Sequence, residues 1–205
     1  MNSAIRNTAN KAMTVELSQN GNDNTQIAYV GKYESTTVIV KSSPTRQNRN
    51  RPSISKFNND FYNLFVIGSE EYQDDSFMVP KDRALTESTP HDIKNMCDSL
   101  SPDAIELIKT FPTIFASKNH GHAKTDDEHT AYFGCVTDIK NQDDGIKVYY
   151  YILDDIKQQK LNNIVSELGI DHAKARNEFD HTHWAIKKVN LLEELERADI
   201  HVFKK

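Results

Sequence analysis

The sequence predicts an α+β fold in which antiparallel hairpins are segregated from short helices and packed on a C-terminal amphipathic helix. Three observations carry this expectation. Residues 131–153 alternate apolar and polar side chains on either side of an Asp-Gly turn, the mark of a hairpin. Strand-like and helix-like runs come in blocks, without the regular β-α alternation of a doubly wound parallel sheet. Residues 177–198 place Trp184, Ala185, Val189, Leu191, Leu192, Leu195 and Ala198 at steps of three, four and seven, one stripe of a 3.6-residue helix.

Taken in order, residues 1–24 are rich in Asn, Ser and Thr and read as a flexible tail, with a short strand or turn at 13–17. Residues 25–205 read as a single domain. The runs 26–30 and 36–41 are rich in β-branched residues and are joined through Gly31, which predicts a first hairpin. Residues 42–56 carry two prolines and four cations, Arg46, Arg49, Arg51 and Lys56, with no acid, and read as a mobile basic loop. The aromatic run 57–68 predicts a strand over its last five residues, and 76–79 a short strand ended by Pro80.

Thr89-Pro90 and Ser101-Pro102 each pair a capping residue with a proline at the first helical position, which predicts two short helices, the second stopped by Pro112. After a polar loop over 117–129 comes the strong hairpin. Asp154 or Asp155 then caps an expected helix with Ile156, Leu161, Ile164, Val165 and Leu168 on its stripe and Gly169 at its C-terminal end. Asp171 is the expected start of a short helix, and 200–203 of a last strand.

Composition bounds the function. Hydrophobic residues make up 37% of the 205, net charge is −5, and mean hydropathy is −0.68. Residues 1–57 carry eight Lys/Arg against three Asp/Glu, and residues 58–145 carry seven against seventeen, so a basic arm precedes an acidic middle. No apolar run approaches the ~18 residues of a membrane span, and residues 1–21 lack the apolar core of a secretory signal. Cys97 and Cys135 form no CxxC pair or disulfide framework. Together these predict a cytoplasmic setting with no membrane partner. The Asn-, Lys- and Ile-rich composition is that of AT-rich microbial coding sequence.

Motifs that name a reaction are missing: there is no Walker loop, GxGxxG, GxSxG or HExxH. The sharpest chemical feature is the loop His120-Gly121-His122-Ala123-Lys124-Thr125-Asp126-Asp127-Glu128-His129. Neutral imidazole and carboxylate are ligands of first-row metals, so His120, His122, Asp126 and His129 form a candidate divalent-metal set. The HxHxDH run of metallo-β-lactamase-like hydrolases shares the first two histidines, but Lys124 and Thr125 stand where its Asp and His would be, so its ligands are not carried over. His181 and His183 lie at the entrance of the expected C-terminal helix, where backbone N–H groups favour anions, and form a candidate ligand-binding pair. Once in a helix the two would stand about 200° apart. Arg46, Arg49, Arg51 and Lys56 are the candidate nucleic-acid contacts, because cations on a flexible arm neutralise phosphates.

The expectation is a non-enzymatic binding or sensor-type accessory protein that engages a protein partner, with nucleic-acid contact through the basic loop. One alternative is a metal-dependent hydrolase or nuclease using the His/Asp loop, completed by His181 or His183. Another is a sensor of a small anionic ligand or nucleotide. Apart from a divalent metal, no cofactor is expected.

Overall fold

The computed structural model describes residues 57–68, 70–172 and 176–202. The expected tail over 1–24, the hairpin over 26–41, the basic loop with Arg46, Arg49, Arg51 and Lys56, and Phe203 lie outside the described residues.

An α+β architecture is present. The strands are β1 (Tyr62–Val66), β2 (Ser76–Val79), β3 (Pro112–Ala116), β4 (Thr130–Asn141), β5 (Ile146–Lys157), the two-residue β6 (Asp171–His172) and β7 (Arg176–Asn177), and β8 (His183–Lys187). The helices are α1 (His91–Cys97), α2 (Pro102–Lys109), α3 (Gln158–Asn162) and α4 (Leu191–Arg197). Six strands form one sheet in the order β2-β5-β4-β3-β1-β8, while β6 and β7 pair separately. All neighbours in the main sheet are antiparallel except β1 and β3, which run parallel, with Phe65 opposite Phe115. No helix among the described residues is long and apolar enough to cross a membrane.

The β1, β3 and β8 strands are buried on both faces, all five residues of each, whereas β2 and β5 alternate buried with more exposed positions. One core holds Phe65, Phe77, Phe115, Tyr150 and Trp184 with Ile93 and Cys97 of α1 and Ile108 of α2. The Phe65 ring stacks on Trp184 at 5.0 Å and on Phe115 at 5.7 Å. The other core holds Leu64, Ile114, Phe133, Ile156 and Phe179 with Leu161 of α3 and Leu191 and Leu195 of α4. Each large apolar side chain so buried contributes roughly 1.5–3 kcal/mol. The Trp184 indole is satisfied by Asn63 Oδ1 at 3.4 Å, and Asn63 in turn donates to Thr113 Oγ1.

The hairpin and the helix signals read well with small shifts. β4 and β5 pair over their whole length, but their turn is closed by Gln142 N–H donating to the Gly145 carbonyl at 2.8 Å, and Gly145 does not take a left-handed φ. Its lack of a side chain serves close approach, since a Cβ there would lie 2.8 Å from Met78 Cε and 3.0 Å from the Val79 carbonyl. Ser101 caps α2 by accepting from Ala104 N–H at 3.3 Å. Thr89 does not cap α1, which starts one residue after Pro90; its hydroxyl accepts from Ile186 N–H on the outer edge of β8.

Other expectations are corrected. The helix expected over 177–198 is instead a 3₁₀ turn (Glu178–Asp180), then β8, then α4. Trp184 therefore lies in a strand, paired opposite Phe65, and only the last part of the apolar stripe is helical. Asp154 and Asp155 cap nothing: they continue β5 opposite Phe133 and Tyr132, and α3 spans only Gln158–Asn162. Gly169 does adopt the expected left-handed conformation, with φ of 67°. Residues 112–116 form a strand as well as ending a helix. Asp171 begins a strand rather than a helix, and 200–202 are not a strand.

Candidate functional site

The histidine loop leaves β3 at Ala116 and returns to the sheet at Thr130. Its path is set by a tight turn. Gly121 and Lys124 exchange backbone hydrogen bonds at 3.3 and 3.1 Å, and Ala123 between them has a φ of 53°. A second turn bonds His129 N–H to the Asp126 carbonyl at 3.2 Å. The first turn separates the two histidines of His120-Gly121-His122, which an extended chain would point the same way.

His120 joins Asp126 and His129. Its Nδ1 lies 3.1 Å from Asp126 Oδ2, and its ring meets the His129 ring edge-on with centroids 4.9 Å apart. One ligand atom from each of the three falls within 4.8 Å of the others. A spacing near 3 Å is the edge between two ligands bonded to one ion at ~2.1 Å. His120 and Asp126 are exposed and His129 is half-buried. The His129 Nε2 is buried with no hydrogen-bond partner among the described residues. Burial lowers the pKa of this imidazole, helped by the neighbouring His120, while Asp126 and a hydrogen bond to the Ser117 backbone pull the other way. A neutral ring with an unengaged nitrogen is the form that ligates metals.

His122 does not join this set, which corrects the expected four-residue ligand group. Its Nδ1 pairs with Asp180 Oδ2 at 2.8 Å. Asp180 also accepts from Asn119 Nδ2 at 2.9 Å and from the backbone of Ala123 at 3.4 Å and Asn177 at 3.3 Å. Burial pushes its carboxyl pKa up, but these bonds outweigh that and leave it lowered.

Behind the loop lies an amide network. Asn119 exchanges bonds with Asn162 at 3.0 and 2.9 Å and accepts from Gln158 Nε2 at 3.0 Å, while Asn177 donates to Asn162 at 2.6 Å. Gln158 also donates to the Ser117 carbonyl at 2.9 Å, and its backbone N–H to the His129 carbonyl at 3.0 Å. Gln159 accepts from Thr125 N–H at 3.0 Å and donates to the Ala123 carbonyl at 3.4 Å. Residues 117–125 are thus tied to α3 and to the 3₁₀ turn, and His129 to α3, which holds the loop in one conformation.

The second histidine pair behaves differently. His181 is extended and His183 opens β8, so the two share a strand face and their rings stack at 4.5 Å. The expected 200° divergence belonged to a helix that is not there. His183 is fully buried, with Nε2 2.8 Å from Glu178 Oε2 and Nδ1 3.0 Å from the His181 carbonyl. Lys187 Nζ reaches Glu178 Oε1 at 2.6 Å and the Ser88 carbonyl at 3.1 Å. Neither His181 nor His183 belongs to the cluster with His120. The two stretches are linked instead at Asp180, which bonds His122, Asn119 and the Ala123 N–H.

Sequence reasoning missed Glu178, Lys187, Asn119, Gln158 and Asn162. The available signal was Asn177 followed three residues later by Asp180, a capping box whose two reciprocal bonds are both present.

An open cleft of about 420 Å³ adjoins the triad. Gly68, Glu70 and Glu71 from the turn after β1 line it, together with residues 117–120 and His129. The arrangement can hold a divalent ion through two imidazoles and a carboxylate, with coordination positions left over on the cleft side. No family model, curated protein or solved structure matches this chain.

Proposed function

We propose that this protein works by binding, as a sensor-type accessory component, and that it binds a divalent first-row transition metal through His120, Asp126 and His129. The observation that carries the reading is the convergence of three ligand atoms within 4.8 Å of one another, one of them the half-buried His129. The half-buried His129 supports it, because burial lowers its pKa and favours the neutral imidazole that ligates metals. Engagement of a protein partner is supported by the acidic middle of the chain, where residues 58–145 carry seventeen Asp/Glu against seven Lys/Arg.

The test is metal titration of the purified full chain with Zn²⁺, read by calorimetry and by thermal shift. One equivalent should bind, and His129→Ala or Asp126→Asn should abolish it. His122→Ala should keep the one-to-one stoichiometry, because His122 serves Asp180. No binding, or equal loss in His122→Ala and His129→Ala, would sink the reading.

A second reading, a metal-dependent hydrolase, is favoured by one feature. Three protein ligands with an open position is the pattern of catalytic rather than structural zinc, and Glu70 and Glu71 line the same cleft. Turnover of a simple phosphodiester or ester by the metal-loaded protein, lost in His129→Ala, would favour it over pure binding.

A further inference from the structure

We propose that His183 is a buried imidazolium, a proton-held latch that fastens the 3₁₀ turn to the start of β8 and releases it as pH rises. The ring is fully buried, and each of its nitrogens faces an acceptor: Nε2 lies 2.8 Å from Glu178 Oε2 and Nδ1 3.0 Å from the His181 carbonyl oxygen. A backbone carbonyl cannot donate, so Nδ1 does. Burial pushes the Glu178 carboxyl up, but His183 and Lys187 hold it low on balance, so it meets Nε2 as an anion that only accepts. A neutral imidazole has one N–H and one lone pair, and would set that lone pair against an acceptor oxygen in a buried site. Only the doubly protonated ring satisfies both contacts.

The groups around the ring fit that charge. Glu178 receives Lys187 Nζ on its other oxygen at 2.6 Å, so each cation has an oxygen of its own. Lys187, further along β8, also donates to the Ser88 carbonyl at 3.1 Å. Tyr62 of β1 faces Glu178 but donates its hydroxyl to the Leu168 carbonyl at 2.9 Å, so it does not compete for the carboxylate. The His181 ring stacks on His183 at 4.5 Å; two cations at that distance repel, so the proton sits on the ring that has the carboxylate. Loss of the Nδ1 proton keeps the charge-assisted bond to Glu178 and leaves a lone pair 3.0 Å from the His181 oxygen, so His181 must shift. Its neighbours carry the shift outward. Thr182 Oγ1 accepts from Gly68 N–H at 3.1 Å, and Asp180 accepts from Asn119 Nδ2 at 2.9 Å and from Ala123 N–H at 3.4 Å. The ring has no exposed surface, so the proton leaves through local opening of this turn, which ties titration to motion.

The experiment follows the histidine rings and backbone amides of the isotopically labelled full chain by proton–nitrogen correlation NMR as pH is raised from about 6 to about 9. At about pH 7.5, where a free imidazole is about nine-tenths neutral, both His183 ring nitrogens should still carry protons. At higher pH, loss of the Nδ1 proton should shift the Gly68 and Ala123 amides in step. His181→Ala keeps the backbone carbonyl and should keep both ring protons at the same pH. A lone-pair nitrogen on His183 at about pH 7.5, in the wild type or in His181→Ala, would overturn the proposal. Gly68 and Ala123 amides that stay still across the whole range would overturn the latch as well.

Discussion

Glu178 is fully buried and carries the histidine and the lysine of β8 on its two oxygens. Burial pushes its pKa up, and the hydrogen bonds and charge of His183 and Lys187 override that and leave it lowered. Tyr62, whose own pKa is raised first by burial and then by Glu178, also faces it and donates its hydroxyl to the Leu168 carbonyl at 2.9 Å. A carboxyl with a lowered folded pKa contributes stability that is fully present above its unfolded value, about 4.3 for Glu. That contribution is lost as pH falls through the folded value. Asp180, also lowered, acts with the same sign. The contribution of these two carboxyls should therefore be level from neutral pH to about pH 5 and fall below about pH 4.5, whereas His129, whose folded pKa is lowered, takes stability away as pH falls below its unfolded value of about 6.5. Glu178→Gln should cost about 3–5 kcal/mol at pH 7, because Lys187 is left buried without its counter-charge, and should flatten the acid limb. Urea melts between pH 3.5 and 7 decide it, and an unchanged acid slope in the variant would refute the assignment. His183 could be flagged from sequence as a polar residue in an apolar stretch. Its partners could not, because Glu178, His183 and Lys187 stand five and four residues apart, a spacing produced only by a 3₁₀ turn feeding a strand.

α3 is five residues long and was legible only as the start of a longer helix, yet it is the element that holds the loop. Gln158, Gln159 and Asn162 each bond a different part of residues 117–125. The loop's histidine and carboxylate residues were visible in the sequence, but which histidines converge depends on the left-handed Ala123 turn and on α3, and neither leaves a local pattern. Gln159→Ala removes the clamp on Thr125 and Ala123 without touching a ligand. Under the metal-binding proposal, support of this kind from outside the ligand shell is typically worth about 10–100-fold in metal affinity, so the variant should bind Zn²⁺ that much more weakly by calorimetry while its urea midpoint barely moves. Unchanged affinity would mean that the loop holds its shape unaided. β8 shows a different failure. All five of its residues are buried, so it lacks the alternation of a one-sided strand, and its Trp184 and Ala185 run on into Leu191 and Leu195 of α4 at spacings that mimic one helix. The break is marked only by Asn190, which accepts from Glu193 N–H at 3.4 Å and caps α4.

Across residues 57–202, the same cause separates what was legible from what was not. The β4–β5 hairpin is local in sequence, and alternation with an Asp-Gly turn was enough to find it. The parallel pairing of β1 with β3 and the antiparallel pairing of β1 with β8 join residues about fifty and a hundred and twenty positions apart, for which one sequence holds no local signal. These long-range pairings place a core on each face of a single sheet, and one cysteine reports on each. Cys97 sits in the core with Trp184 and Cys135 in the core with Leu195. Burial pushes both thiols up to about 11, with Asp98 adding to the shift at Cys97, so neither reacts readily while folded. Because both cores share the strands β1, β3, β4 and β5, they should unfold together. Leu195→Ala removes a fully buried side chain from the second core alone, at a cost of about 2–5 kcal/mol. Alkylation at pH 8, followed residue by residue by mass spectrometry, should then speed up by about 30-fold or more at Cys135 and by the same factor at Cys97. Acceleration confined to Cys135 would show that the second core opens on its own, and that the shared sheet does not couple the two faces.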